Sequence, residues 1–146
     1  TRPALHKLLR KQEGARGLIE IQLEEGDVAA AVKALEASQQ KQKRVAYGYG
    51  SMWWYDGDDL EARVAEAAET SDPDAAVRIY RRLAEREIDA RQRTHYQQAA
   101  AYLARVKLVM ANAGRAEQWT ADIAELRQSH KSLRALREEL DALDLR

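Results

Sequence analysis

The chain has 146 residues, with 24 basic and 24 acidic side chains, no Cys and no Phe. That length suits one domain able to bury roughly two-thirds of the surface its unfolded chain exposes, and 45% apolar with 33% charged residues marks a globular chain rather than a disordered one. The lack of Cys excludes disulfides, thiolate nucleophiles and Cys-based zinc sites; no stretch approaches the roughly 18 apolar residues of a membrane span and no apolar signal-peptide core opens the chain, so a cytoplasmic protein is expected.

Ala, Leu, Glu, Arg and Gln dominate and are good helix formers, while two Pro and seven Gly leave little punctuation for strands. Residues 4–25 read as a helix with apolar faces at Leu5, Leu8 and Leu9 and at Leu18, Ile19 and Leu23. Gly14 and Gly17 lie between them, so the helix either breaks there or meets a closely packed neighbour. Gly26-Asp27 predicts a tight turn, with Gly in the left-handed position and Asp capping the next helix. That helix runs from about Val28 to Arg44, with Val28, Ala31, Val32 and Leu35 on its apolar face and a polar far end from Ser38.

Residues 45–57 form an aromatic, Gly-rich connection that carries five of the nine aromatic side chains. A helix is expected to start near Asp58 or Asp59, with Asp58 as cap and Glu61 as its reciprocal partner, and with Leu60, Val64, Ala67 and Ala68 inward. Ser71-Asp72-Pro73-Asp74 reads as the next start: Asp72 caps, Pro73 takes the first helical position, and Asp74 favours the positive end of the dipole. Its inward set is Ala76, Val77, Tyr80, Leu83, Ala84 and Ile88. Thr94 is expected to cap a further helix burying Tyr96, Ala99, Ala100, Leu103, Val106 and Met110, which Gly114 ends. A last long amphipathic helix is expected from about Ala116 to Leu143, with Trp119, Ile123, Leu126, His130, Leu133, Leu136, Leu140 and Leu143 on one stripe.

The zero net charge conceals segments of net +3 over residues 1–46, −7 over 47–77 and +4 over 78–146. A nucleic-acid-binding domain is usually basic throughout, which this chain is not. Asp27-Val-Ala-Ala-Ala-Val32 also resembles Asp72-Pro-Asp-Ala-Ala-Val77 at an offset of 45 residues, which pairs Ala31 with Ala76, Val32 with Val77 and Leu35 with Tyr80. Helical solenoids repeat with such periods. The fold expected is therefore all-α: one domain over residues 1–146, in which antiparallel hairpins stack as a short solenoid. It comprises a hairpin over 4–44, the connection over 45–57 and helices over 58–146.

The run Asp72-Pro73-Asp74-Ala75-Ala76-Val77-Arg78-Ile79-Tyr80-Arg81-Arg82-Leu83 resembles tetratricopeptide-type hairpins. More narrowly, it is similar to the helical C-terminal region of bacterial SWIM zinc-finger proteins. Tyr96-Gln97-Gln98-Ala99-Ala100-Ala101-Tyr102-Leu103, Gly114-Arg115-Ala116-Glu117-Gln118-Trp119, Ile123-Ala124-Glu125-Leu126-Arg127 and His130 extend the likeness. It covers about half the chain clearly and the first half loosely. The family's zinc ligands, a Cys-x-Cys pair and a later Cys-x-His, have no counterpart in a chain without Cys. The resemblance thus implies a fragment or a zinc-free relative, with any metal or nucleic-acid role of the finger lying outside it.

Chemistry is sparse. His6, His95 and His130 are far apart in sequence, and no carboxylate stands three or four residues from His130, so a partly buried, hydrogen-bonded core His is expected there. Asp56, Asp58, Asp59 and Glu61 do not follow the calcium-loop spacing, since position twelve counted from Asp56 is Ala67; helix capping accounts for Asp58 and Glu61. Tyr47-Gly-Tyr49-Gly lacks the Lys-Ser/Thr of a phosphate loop. No nucleophile, base and orienting group stand at a recognisable spacing, so neither an enzyme nor a cofactor or metal site is expected.

The expected function is a scaffold for a protein or peptide partner. Tyr49, Trp53, Trp54 and Tyr55 either plug a gap between hairpins or form an exposed patch, and both aromatic types favour interface hot spots. The acidic surround favours a basic or neutral peptide. Arg78, Arg81 and Arg82 share one helix face and flank the groove, or are solvated beside Glu85 and Glu87. Nucleic acid enters only as a minor or indirect partner, in an alternative reading as the helical accessory module of a zinc-finger protein. A homodimer through Leu133, Leu136, Leu140 and Leu143 of the last helix is a further expectation.

Overall fold

A computed structural model describes residues 14–45 and 57–146. The described residues form seven α-helices and no strand: α1 (Gly14–Glu24), α2 (Val28–Val45), α3 (Gly57–Ala68), α4 (Pro73–Asp89), α5 (Arg93–Asn112), α6 (Ala116–Ser129) and α7 (Arg134–Ala142). The all-α class is as expected. The aromatic connection, including Tyr49, Trp53, Trp54 and Tyr55, and the chain before Gly14 lie outside the described residues. The chain divides into two compact units, Thr1–Asp72 and Pro73–Arg146.

In the first unit, α1 and α2 form a hairpin, and α3 packs on both. The Gly26 turn is a Schellman motif. Gly26 takes φ +79°, its N–H donates to Leu23 O (3.1 Å), and the Asp27 N–H donates to Gln22 O (2.9 Å). Asp27 Oδ1 then accepts the Ala30 N–H at 3.2 Å, which caps α2. Helix α1 continues through Gly17, which is buried, so the helix does not break at that glycine. Leu18, Ile19, Ala31, Val32, Leu35, Leu60, Val64, Ala65 and Ala68 form the core. Two expectations for α3 fail. Ala65 replaces Ala67 on the inward face, because the buried side centres on Glu61, Ala65 and Ala68, linked by steps of four and three, while 67 lies toward solvent. The helix opens at Gly57, so Asp58 lies inside it rather than before it, and Glu61 is 1% exposed in the helix body rather than on its rim.

In the second unit α5 is the central element, with α4, α6 and α7 packed against it. Its wide stripe of Tyr96, Ala99, Ala100, Leu103, Val106, Val109 and Met110 is buried, and the paired alanines let a neighbour approach closely. Helix α4 begins with Pro73 in its first turn, as expected. Its buried set includes Ala75 and Ile79, whereas Val77 is only half-buried. Tyr80 meets Tyr102 with ring centroids 6.2 Å apart at 32°. Thr94 does not cap α5; Gln92, with extended backbone, takes that place. Gly114 ends α5 in a second Schellman motif, with φ +74° and the Arg115 N–H donating to Met110 O at 2.7 Å.

The last helix is not continuous. It breaks after Ser129, and His130 closes α6 rather than joining a buried stripe. A helix unbroken from 116 to 143 would run about 42 Å, past the roughly 30 Å of α5, leaving its last turns without an apolar neighbour. The break lets α7 return onto α5 and bury Leu136 and Leu140. A third Schellman motif, at Asp144 (φ 54°), turns Leu145 inward to 1% exposure; the Leu145 N–H donates to Leu140 O at 2.9 Å. The expected dimer seam is thereby dismantled, because Leu136 and Leu140 lie in the core of their own unit and only Leu143 of that set is largely exposed.

Candidate functional site

The Arg-bearing face of α4 is the part of the expected site that the structure describes. Arg78 and Arg82, four residues apart, are exposed. Arg81 is drawn sideways: its Nη1 stands 3.6 Å from Asp122 Oδ2 on α6. The expected local partners differ too, since Glu87 is taken by His95, whose Nδ1 lies 2.5 Å from Glu87 Oε2 across the α4–α5 turn.

Beside Arg81 a cleft of about 10 Å³ opens between helices, lined by Leu103, Val106, Trp119, Ile123 and Leu126 as well as Arg81 and Asp122. Trp119 and Asp122 lie three residues apart on α6 and so share one face. Trp119 is 4% exposed. Its Nε1 and the Asp122 Oδ2 are both buried without a hydrogen-bond partner in the protein. The cleft is thus lined by three residues with polar groups, Arg81, Trp119 and Asp122, in an otherwise apolar wall.

Other charges tie helices together. Arg93, at the start of α5, donates to Glu138 Oε2 (2.7 Å) and Glu139 Oε1 (3.1 Å) of α7. These hydrogen bonds hold the Glu138 carboxyl below the usual carboxylate range and raise Arg93 further. Arg115 pairs with Asp74 in the first turn of α4, and that hydrogen bond likewise depresses the Asp74 carboxyl and raises Arg115. Arg127 donates through Nε and Nη2 to Leu145 O (2.9 and 2.6 Å) and through Nη2 to Asp141 Oδ1 (2.9 Å). Lys107 Nζ donates to Asp144 O at 3.2 Å. These contacts latch the turn that follows α7. Among the described residues no group of three or more His, Asp or Glu side chains is placed to hold a metal ion, and no helix is long and apolar enough to cross a membrane.

Sequence reasoning missed Trp119 and Asp122 as a polar pair. Trp119 reads as one more apolar position on a stripe, and only its three-residue spacing to Asp122 hints at a shared face. It also missed Glu87–His95, because the pair closes across a turn rather than along one helix.

No family model matches the chain, and no solved structure matches it. The uncharacterized protein YwqB of Bacillus subtilis (strain 168) is similar: 32% identical over 82 residues, which are 56% of this chain and 15% of that protein. The match thus spans a small part of a much longer relative.

Proposed function

We propose that this chain is a non-catalytic interaction scaffold, whose hairpins stack as a short tetratricopeptide-like solenoid and bind a peptide or partner protein. One observation carries the reading. Helix α4 buries a continuous apolar face while holding Arg78 and Arg82 outward, one turn apart, beside the Arg81–Asp122 pair. Arg93 and Arg115 of that unit engage carboxylates as ties between helices. Tyr49, Trp53, Trp54 and Tyr55 supply the anchoring contacts in this reading, and the acidic segment around them selects a basic or neutral peptide.

The test is isothermal titration calorimetry with basic, neutral and acidic synthetic peptides. Saturable binding of a basic or neutral peptide that disappears in the Trp53→Ala/Trp54→Ala double variant, with helical circular dichroism unchanged, supports the proposal. Loss of helicity in that variant makes the pair core, and no binding by any peptide ends the reading.

The net +4 of residues 78–146, with Arg78 and Arg82 exposed, favours one alternative: a helical accessory module of a nucleic-acid-associated zinc-finger protein. The small share of the Bacillus relative that is matched is compatible with a module of something larger. Binding would then weaken steeply with salt. An electrophoretic shift at two salt concentrations separates the two, and no shift at low salt removes the alternative.

A further inference from the structure

We infer that the cleft between Arg81, Trp119 and Asp122 binds one ordered water molecule, which accepts the indole N–H, donates to Asp122 Oδ2 and accepts from the Arg81 guanidinium. Three independent features converge on it. Two buried polar atoms of opposite hydrogen-bonding character, Trp119 Nε1 and Asp122 Oδ2, lack protein partners, and both belong to residues that line the cleft. Buried polar groups are almost always satisfied, and leaving a donor and an acceptor unmade would be costly.

The Arg81–Asp122 separation of 3.6 Å is too long for a direct hydrogen bond, which leaves Asp122 Oδ2 able to accept from a water seated beside the pair. The cleft volume of about 10 Å³ is close to the least that holds one water. A buried water typically makes about three hydrogen bonds, which is what these three side chains offer. The site needs a ligand that both accepts and donates: a chloride is opposed by the Asp122 carboxylate, and a metal cation by the indole N–H and the guanidinium. The water would connect α4 to α6 at a point where the surrounding wall (Leu103, Val106, Ile123, Leu126) is otherwise apolar. It would also orient Arg81 away from the row of Arg78 and Arg82.

The experiment is a water–protein magnetisation-transfer spectrum of the full chain, read at the indole proton of Trp119. That resonance is assigned by its disappearance in Trp119→Phe or, should that variant not fold, by through-bond correlation in the wild type. A cross-peak from a bound water is expected. Asp122→Ala removes one of the three partners, so exchange of the Trp119 indole proton with solvent should quicken about fivefold, the change expected for one hydrogen bond of ordinary net strength. A high-resolution crystal structure should place a water within hydrogen-bonding distance of both Nε1 and Oδ2. Absence of the cross-peak, an exchange rate unchanged in Asp122→Ala, or a dry cleft with the indole bonded directly to Asp122 would each overturn the proposal.

Discussion

The two copies of the internal repeat begin alike and bury different faces. Ala31 and Ala76 are both fully buried, and Leu35 and Tyr80 nearly so. Val32 is buried, yet its counterpart Val77 is only half-buried, and α4 instead buries Ala75, Ile79 and Leu83. The apolar stripe of α4 is therefore rotated toward the row 75-79-83. The reason is the neighbour. Helix α2 packs against both α1 and α3, whereas α4 lies along α5. A repeated signature sets where a helix starts; what packs against it sets which side goes in.

The largest expected effects break this contrast at its centre. Leu83→Ala should cost about 2–5 kcal/mol, the range for emptying a buried leucine site, because Leu83 is fully buried on the rotated row. Val77→Ala should cost well under half as much. Denaturant unfolding of the two variants measures the ratio, and equal losses would mean that the rotation is wrong. Ala31→Leu and Ala76→Leu sharpen the shared part. Both sites are closed, so each should lose about 1–3 kcal/mol through overpacking.

Helix existence and most inward faces were legible in the sequence because three- and four-residue spacing is a local property. The Gly26 and Gly114 turns were legible because only a residue tolerating positive φ ends a helix this way. The break between α6 and α7 was not. Leu133, Leu136 and Leu140 keep helical spacing across it, and only the finite length of α5 makes a straight helix unfavourable. The left-handed residues Arg91 and Asp144 were equally hidden, since neither is glycine. In the candidate site, the exposed Arg78 and Arg82 were foreseeable from one helix, but the coupling of Arg81 to Asp122 required knowing which helices meet.

Those two left-handed residues give a middle-sized test with two signs. Gly26→Ala and Gly114→Ala meet no atoms within 4 Å of the new Cβ, so their loss is purely conformational, about 1 kcal/mol each. Arg91→Gly removes the same penalty in reverse and should raise stability by about 0.5–1 kcal/mol. Asp144→Gly should gain less, because Asp tolerates this conformation better. Thermal unfolding reads all four, and a destabilised Arg91→Gly would show that the arginine side chain matters more than its backbone.

The smallest effect concerns the acids near the two repeat starts. Asp27 closes a hydrogen bond onto its own helix at Ala30, whereas Asp74 reaches across to Arg115. The Arg115 hydrogen bond holds Asp74 below its ordinary range, and Arg93 does the same for Glu138. A carboxyl depressed by folding contributes stability that is complete above its unfolded pKa, about 4, and is lost as pH falls through the lower folded value. Both groups are open to water, so the contribution is small and screened by salt. Urea unfolding at pH 6 and pH 3 should show a wild-type drop that shrinks slightly in Asp74→Asn and in Glu138→Gln, and the difference should fade in 1 M salt, where charges are screened within about 3 Å. If neither variant alters the drop, the acid sensitivity belongs to other carboxylates, and the long-range pair of Asp74 is worth no more than the local cap of Asp27.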